Sequence, residues 1–486
     1  MRKLIAKLTL IAAGSALVAL PAQAANIIIN NVDAPGIGFN DETPVDRVGG
    51  NRGKTLGEQR LIVFQTAANI WGKRLRSDIT IVVQATFQPL ACSPTGGVLG
   101  AAGPIQIFRA DPGVEPPGII PDTWYHTALF NSIAEFDASP GDPDPGLLVP
   151  PFADDIVAFF NGAIGTDPNC LTGLNWYNGL DNNQGPAELD LLAVVLHELA
   201  HGLGFSEFSD EDTGATVEGF PSIYARYMLD TNQNKIFADM TDAERLQAQV
   251  AGEDLVWVGP RVTRNAKRNL GALPILKALF PRKLNRMPIT GQAASFGRPL
   301  RRGSGPVGLV VAADDGVDVG SDGCEAYPDK VRRKLVLIDR GGCAFTTKVL
   351  NAQRAGARGA IVANNVPGGP APMGGTDPSV RIPSIGITLD DGERLRAALA
   401  DQRYVLLKMQ GDRKLLAGAD EDGFVKLFAP NPVQPGSSKS HFDVSATPNL
   451  LMEPSINGDL DPVDDLDLTD DLFHDVGWRF ERRRRR

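Results

Sequence analysis

The chain has 486 residues, which predicts about three domain-sized units at roughly 150 residues per domain. Apolar residues make up 43% of the chain and charged residues 22%, proportions that exclude a disordered or coiled-coil protein. The 52 Gly and 36 Pro disfavour an all-helical fold, and the formal net charge of −10 disfavours a nucleic-acid partner.

Residues 1–24 have the pattern of a secretory signal peptide. Three basic residues precede an apolar run over residues 8–20, and Ala-Gln-Ala at 22–24 fits the small-x-small pattern of a cleavage site. No other stretch approaches the roughly 20 apolar residues of a transmembrane helix. The sequence therefore predicts a secreted protein without a membrane span.

The chain contains four cysteines, Cys92, Cys170, Cys324 and Cys343, and no two of them form a CxxC pair. In an oxidising compartment an even number of cysteines predicts disulfides before metal ligands. We therefore expect two disulfide bonds, and spacing alone leaves three connectivities open.

The region after the signal peptide predicts a mixture of helices and strands separated by long loops rich in Pro, Gly and Asp. The predicted elements are helices at 56–75 and 123–136, strands at 78–87 and 155–160, and loops at 89–122 and 137–151.

The clearest helical pattern of the chain begins at Pro186. Proline suits the first position of a helix, and Glu188 and Asp190 would lie in its positively charged first turn. The run LLAVVLHELAH then continues without a helix breaker up to Gly202. The sequence therefore predicts a helix from Pro186 that contains both histidines of this run.

This helix carries the sequence His-Glu-Leu-Ala-His at positions 197–201. Residues four apart on a helix differ in direction by about 40°, so His197 and His201 face the same side and can bind one ion. Zinc suits imidazole ligands, and Glu198 is placed to act as the general base towards the attacking water.

A catalytic zinc needs a third protein ligand, and the sequence offers three sources. Glu207 follows the motif closely, at the position where metzincins usually have a third histidine. Glu218 or Glu244 would suit a downstream glutamate ligand, but neither lies in a recognisable second helix motif. The third source is His441, which is followed 11 residues later by Met452.

The sequences HELAHGLGF and SHFD...NLLMEP together resemble the leishmanolysin-type metzincins, over residues 185–207 and 437–478. In that family a long insertion separates the third histidine from the helix motif, and a Met-turn follows. The resemblance implies that His441 is the third ligand and that Met452 forms a hydrophobic floor beneath the ligands. Glu207 would then be an ordinary residue beyond the turn.

A second pattern occupies residues 290–405 and predicts a small α/β sheet of its own. Its predicted strands are at 334–339 and 359–363, and its predicted helices are at 345–355 and 391–399.

The sequence from 334 to 365, together with IPSIGITLDDG at 382–392, resembles the protease-associated (PA) domain, a non-catalytic module of secreted peptidases. Arg340-Gly341-Gly342 lacks the glycine spacing of a dinucleotide site, so no nucleotide cofactor is expected there. Because Cys324 and Cys343 both fall in this module, the resemblance implies that they pair with each other. Cys92 would then pair with Cys170.

The rest of the chain predicts a strand at 423–428 and a helix at 468–475. Seven aspartates at 459–471 offer oxygen ligands for Ca²⁺, but without the spacing of an EF-hand; a turn and a helix cap are the favoured interpretation. The segment 230–234 is interpreted as a turn. The arginines at 482–486 are interpreted as a disordered end, with attraction to an anionic surface as the alternative.

The chain contains two further histidines, His126 and His474, and two tyrosines, Tyr224 and Tyr227, follow the His-Glu-Leu-Ala-His motif. His126 and His474 lie on amphipathic patterns and are interpreted as structural. Tyr224 and Tyr227 are candidates to stabilise the oxyanion of the reaction, although the sequence supplies no geometry for either.

The sequence therefore predicts an α+β protein whose metzincin-like catalytic domain is split by an inserted α/β PA domain. The catalytic parts are 25–255 and 415–478, the PA domain is 290–405, and a basic tail covers 479–486. We expect a secreted zinc metalloendopeptidase that acts on proteins or peptides. The alternatives are a zinc exopeptidase of the aminopeptidase type and a non-catalytic adhesin with a metal-stabilised core.

Overall fold

The protein is described here by a computed structural model. It describes residues 24–139, 154–317, 319–402, 404–457, 460–461 and 466–480. The predicted signal peptide, apart from Ala24, and the arginines at 482–486 lie outside the described residues. None of the helices among the described residues has the length and apolar composition needed to cross a bilayer.

Two regions far apart in sequence share one hydrophobic core, which contains residues from 25–270 and from 416–478. We call this unit the main domain. Its helices before residue 270 are α1 (Leu56–Arg74), α2 (Thr127–Ala134), α3 (Leu191–Leu203), α4 (Asp242–Ala248) and α5 (Pro260–Asn269). Its strands up to residue 257 are β1 (Ile27–Asn31), β2 (Leu75–Arg76), β3 (Ile81–Gln88), β4 (Cys92–Ser93), β5 (Gly96–Gly97), β6 (Gly100–Pro104), β7 (Ile107–Phe108), β8 (Tyr125–His126), β9 (Ile156–Asn161), β10 (Asn175–Tyr177), β11 (Glu188–Asp190), β12 (Met228–Asp230), β13 (Lys235–Ile236) and β14 (Leu255–Trp257).

The central sheet of the main domain has the strand order β1-β3-β9-β6. β1, β3 and β9 are parallel, whereas β6 runs antiparallel to β9 at the edge. α3 packs closely on this sheet, because a Cβ at Gly202 would lie 2.4 Å from Cγ2 of Ile156. The Trp71 indole of α1 donates a hydrogen bond to the Leu196 carbonyl of α3, so the two helices are tied together.

The predicted start of the long helix at Pro186 is wrong. Glu188–Asp190 form β11, which pairs in parallel with β10, and α3 begins only at Leu191. The Asp190 carboxylate accepts a hydrogen bond from the Leu192 N–H, so this residue caps the helix instead of lying in its first turn. Pairing with β10 outweighs the local helical pattern here.

Two further predictions in this region need correction. The predicted helix at 123–136 is shorter, because Tyr125 and His126 pair with Ile107 and Phe108 before α2 begins. The predicted loop at 89–122 contains the edge strand β6. Its sequence, GAAGP, has no β-branched or aromatic residue, so nothing in its composition indicates a strand.

The chain between the two parts of the main domain forms an inserted domain built on an eight-stranded sheet. The strand order is β16-β15-β22-β18-β19-β20-β21-β17, and the sheet therefore extends beyond the predicted 290–405 on both sides. The strands are β15 (Ala272–Phe280), β16 (Ile289–Thr290), β17 (Gln292–Ala293), β18 (Val307–Ala312), β19 (Leu335–Asp339), β20 (Gly359–Ala363), β21 (Ser384–Ile387) and β22 (Leu406–Leu416), and the helices are α6 (Phe345–Arg354) and α7 (Leu389–Asp401).

After the inserted domain the chain returns to the main domain through β23 (Val425–Lys426), α8 (Asp467–Val476) and β24 (Arg479–Phe480). β23 pairs with β14, and α8 packs against α5. The Trp478 indole donates a hydrogen bond to the carbonyl of Leu203, the last residue of α3. The two ends of the main domain are therefore joined around the helix that carries the histidines.

Both expected disulfides are present, with the connectivity that the PA resemblance implies. Cys92 pairs with Cys170 in the main domain, and Cys324 pairs with Cys343 in the inserted domain.

Candidate metal centre

α3 presents His197 and His201 on one side of a helix that is buried along its whole length. Apolar residues fill its other sides and form part of the main core. The two histidines are 6% and 7% exposed, so their imidazoles are held by surrounding protein rather than by water.

His441 reaches the same place from the second part of the main domain. Its backbone carbonyl accepts a hydrogen bond from Phe428 N–H, and the next residue, Phe442, donates to the carbonyl of Met452. His441 is 5% exposed. The structure therefore brings together the three histidines that the sequence singles out, although His441 lies 240 residues after His201.

The three Nε2 atoms form a nearly equilateral triangle. Each pair among His197, His201 and His441 is separated by 3.2 Å. Nitrogens at about 2.0–2.1 Å from a tetrahedral zinc ion are about 3.3 Å apart, so the triangle has the dimensions that zinc requires.

The hydrogen bonds of the three Nδ1 atoms determine which ring nitrogen of each histidine carries the proton. Nδ1 of His197, His201 and His441 lies 2.7, 2.7 and 2.8 Å from the carbonyl oxygens of Leu451, Phe205 and Ser437. A carbonyl only accepts hydrogen bonds, so Nδ1 donates in each case, and Nε2 of the neutral ring carries a lone pair. The three Nε2 lone pairs therefore point towards one another with no proton between them. A cation at this point would bind all three, and in its absence the lone pairs repel one another.

Burial keeps these rings neutral. It lowers the pKa of His197 to about 4 and that of His441 to about 3, and it also lowers the pKa of His201. Neutral imidazole is the form that binds metal, so the centre is ready for an ion at neutral pH.

Glu198 is enclosed between α3 and the edge strand β6. It is 6% exposed, and its carboxylate accepts a hydrogen bond from the backbone of Ala102. A Cβ at Gly100 would lie 2.8 Å from Cγ of Glu198, so only glycine lets the strand pass so closely. Burial raises the pKa of Glu198 to about 8, and a cation bound by the neighbouring histidines would lower this pKa again and favour the carboxylate.

The competing carboxylates do not join the three histidines. Glu207 is directed towards Ser209 and Lys439. Glu218 is exposed on a short 3-10 turn, and Glu244 completes the capping box of α4. The Glu207 side chain is nevertheless 1% exposed and faces a buried lysine.

The other two histidines and the two candidate tyrosines are not part of the three-histidine cluster. His126 is buried with Nε2 at 2.7 Å from Ser206 Oγ, and His474 stacks on Phe480 at 3.7 Å. Tyr224 is fully buried against Phe205 and Trp257. Tyr227 stacks on the same tryptophan, so neither tyrosine has a described contact with the histidines.

Among the described residues of the aspartate-rich segment, no carboxylates cluster as calcium ligands. Asp467 accepts hydrogen bonds from Leu451 N–H and Thr469 N–H, as expected for a turn and helix cap, whereas Asp459, Asp464 and Asp465 lie outside the described residues. The segment 230–234 is a turn in which Asp230 accepts from Gln233 N–H, as predicted. Apart from the histidines, the acidic and metal-binding side chains that cluster among the described residues are Asp315, Asp322 and Glu325 of the inserted domain.

Several groups that shape the centre leave no signal in the sequence. The carbonyls of Leu451, Phe205 and Ser437 are backbone atoms and leave no mark in a motif. Gly100 and Ala102 lie in the strand that the composition misses.

Comparison with known proteins identifies one segment of the chain. Residues 307–395 match the PA domain family. This segment is a PA domain. The match lies within the range predicted for it, 290–405, and it contains β18, β19, β20 and β21 of the inserted sheet.

The curated relatives match a small part of this chain. Leucine aminopeptidase 2 of Trichophyton rubrum is 42% identical over 83 residues, which are 16% of this chain and 17% of that protein. Leucine aminopeptidase 2 of Arthroderma otae is 46% identical over 87 residues, 17% of each chain. Vacuolar-sorting receptor 7 of Arabidopsis thaliana is 32% identical over 133 residues, 24% of this chain and 20% of the receptor. The chain thus spans about a sixth of the length of its aminopeptidase relatives.

Two solved structures show a similar partial match. An aminopeptidase from Aneurinibacillus sp. strain AM-1 is 22% identical with a TM-score of 0.23, covering 32% of this chain and 38% of its own. BSAP, a zinc aminopeptidase from Bacillus subtilis, is 24% identical with a TM-score of 0.22, covering 31% and 36%. The metzincin resemblance of the main domain stays a prediction.

Proposed function

We propose that the protein is a secreted zinc-dependent peptidase in which His197, His201 and His441 hold the ion and Glu198 is the general base. The observation that carries the proposal is the convergence of three Nε2 atoms whose opposite Nδ1 atoms each face a backbone carbonyl, next to the buried Glu198. The two disulfides support secretion, because such bonds persist in oxidising compartments.

The chemistry needs an ion with an open position and a base. Bound zinc would act as a Lewis acid on the scissile carbonyl and would increase the acidity of water. Three protein ligands leave room for that chemistry, whereas a structural zinc site is closed by four. Glu198 takes the proton of the attacking water on its carboxylate and later gives it to the leaving amine.

The aminopeptidase alternative is the one that the comparisons favour. Leucine aminopeptidases are among the relatives of this chain, and this similarity supports a peptidase role. It favours removal of N-terminal residues over the predicted cleavage within a chain.

The endopeptidase interpretation has support from the geometry. β6 has a strand partner on one side only among the described residues, and it runs directly past Glu198. An extended peptide can add to such a sheet edge through backbone hydrogen bonds and continue on both sides of the base. The non-catalytic adhesin is disfavoured, since a structural metal site needs no buried carboxylate beside it.

Hydrolysis assays on the purified protein test the proposal. We expect peptide-bond hydrolysis that a chelator abolishes and added zinc restores. Cleavage of leucine p-nitroanilide alone would assign an aminopeptidase, and internal cleavage of casein or of an N-terminally blocked peptide would assign an endopeptidase. A zinc-loaded protein that cleaves neither substrate contradicts the proposal and favours the adhesin.

A further inference from the structure

A buried ion pair lies beside the candidate metal centre. Lys439 Nζ is 3.8 Å from Glu207 Oε2, and the two side chains are 2% and 1% exposed. Lysine and glutamate are almost never buried to this degree unless they are paired, because removing a charge from water is costly. The burial of both charges therefore depends on their pairing and on hydrogen bonds from nearby groups.

Ser209 completes the pair. Lys439 Nζ donates to the Ser209 carbonyl at 2.8 Å and to Ser209 Oγ at 2.9 Å. Glu207 Oε2 accepts hydrogen bonds from both the N–H and the hydroxyl of Ser209, and Oε1 accepts from the Ser222 hydroxyl at 3.3 Å. Both charges are thus satisfied by fixed protein groups, which makes the arrangement rigid.

The pair joins the two segments that supply the metal ligands. Glu207 lies six residues after His201, and Lys439 lies two residues before His441. A second contact between the same segments runs from Glu207 N–H to Ser440 Oγ at 3.1 Å. The whole inserted domain lies between these segments in sequence. Their contact therefore joins two parts of the chain that are more than 200 residues apart.

The backbone of Lys439 adds an independent observation. Its φ is +60°, in the left-handed region that residues other than glycine rarely adopt. Its N–H donates to the Phe428 carbonyl, and Phe428 N–H in turn donates to the carbonyl of His441. An unfavourable backbone conformation is therefore maintained at the residue whose side chain enters the ion pair, two positions before the third histidine.

We propose that Glu207 and Lys439 are positioning residues that fix His441 opposite His197 and His201 before the ion binds. The inference rests on the proposed zinc site and assigns neither residue as a ligand. A ligand held in place beforehand loses less conformational freedom on binding, so the pair raises the affinity for zinc. Loss of one partner would leave a buried charge uncompensated and allow the His441 segment to move.

Zinc affinity of the full-length protein, measured by competition with a chelator, tests this role. Lys439→Met and Glu207→Gln should each weaken zinc binding by roughly 10- to 100-fold, the usual effect of residues that support metal ligands. At saturating zinc both variants should still bind about one ion per chain, because all three histidines remain. The absorption spectrum of the Co²⁺-loaded variants should also change, since it reports the arrangement of the ligands.

Lys348→Met is the matched control. Lys348 is also a fully buried lysine, but it lies in the inserted domain, where its Nζ donates to the Asp322 carbonyl. Its replacement should leave zinc affinity unchanged. An equal loss of affinity in Lys348→Met and Lys439→Met would overturn the inference, because the effect would then belong to any buried lysine.

The double variant Glu207→Gln/Lys439→Met distinguishes the effect of an uncompensated buried charge from a nonspecific effect of the two substitutions on the fold. It leaves no uncompensated buried charge, so its loss of affinity should be smaller than the sum of the losses in the two single variants. If Lys439→Met does not fold, Glu207→Gln supplies the same comparison with wild type. If a folded single variant binds zinc as tightly as wild type, the inference is wrong but the proposed function stands. If the wild-type protein binds no zinc, both the proposed function and the inference are wrong.

Discussion

At the scale of single residues, the orientation of His197 depends on a carbonyl that is itself held in place. Its Nδ1 donates to the Leu451 carbonyl, and Leu451 N–H donates to the Asp467 carboxylate at 2.6 Å. The preceding residue, Leu450, donates to Glu453, whose side chain is almost fully buried. Carboxylates therefore fix the turn that contains Met452, and the turn fixes the first ligand.

Glu198→Gln should lower the kcat for peptide hydrolysis at least 100-fold while zinc content and folding stay as in wild type. The amide preserves the shape of the side chain and can still accept from Ala102, but it has no basic oxygen to take the proton of the attacking water. Steady-state kinetics together with metal analysis on the same sample measures this effect.

Glu244→Gln is the control for that experiment. Glu244 is a glutamate of the same domain, but it caps α4 and pairs with Lys235 instead of facing the histidines. Its replacement should leave kcat unchanged. A Glu198→Gln protein with zinc bound and near-normal kcat would show that Glu198 is not the base.

At the scale of elements, a buried carboxylate links two strands of the central sheet to α2. Asp155 precedes β9 and is 3% exposed. Its Oδ2 accepts from Val82 N–H of β3 at 2.9 Å, and its Oδ1 accepts from Asn131 of α2 at 3.2 Å. Burial raises the pKa of Asp155 from 3.8 to about 7.

This raised pKa predicts a dependence of stability on pH. The folded protein binds the Asp155 proton more tightly than the unfolded chain does, so this group contributes its full stabilisation below pH 3.8. The contribution is lost as the pH rises from about 4 through about 7. Asn at this position does not ionise. As the pH rises from about 5 to about 7.5, the free energy of unfolding of Asp155→Asn should therefore fall less than that of wild type.

Denaturant unfolding of the two proteins at several pH values measures the difference. The comparison between variant and wild type cancels the titration of the other carboxylates, which both proteins share. Identical pH profiles for Asp155→Asn and wild type would mean that Asp155 is ionised in the folded protein at neutral pH, contrary to the expected shift.

At the scale of the whole molecule, one main domain is assembled from two parts of the chain around the inserted PA domain. β23 pairs with β14, and Trp478 contacts the last residue of α3. The second part of the domain therefore supplies the third histidine, the Met452 turn and the support at the end of the ligand helix. This arrangement explains how His441 meets His201 across 240 residues.

The sequence predicts the elements that follow from a local residue pattern and misses those that form only by pairing with another strand. The apolar runs of β19 and β20 and the uninterrupted helix through His197 are plain in the sequence, because burial on several sides leaves a continuous apolar run. The start of α3 and the strand β6 are not, because pairing with another strand determines them rather than the local residue pattern.

The candidate site divides in the same way. The spacing of His197, Glu198 and His201 determines the relative directions of their side chains, since the three residues share one helix. His441 is identified through a family resemblance, because its separation of 240 residues from His201 carries no geometric information. The role of Glu207 could not be predicted, because its partner Lys439 lies in the other part of the domain.

The zinc content of purified wild type and of His441→Ala tests the central claim most directly. The account predicts about one zinc ion per chain in wild type and a strongly depleted centre in His441→Ala, because two protein ligands hold zinc poorly. Glu207→Ala should still bind zinc when the ion is supplied at saturation, although more weakly. A His441→Ala protein that keeps its zinc, beside a Glu207→Ala protein that stays empty at saturating zinc, would contradict the three-histidine centre and make Glu207 the third ligand.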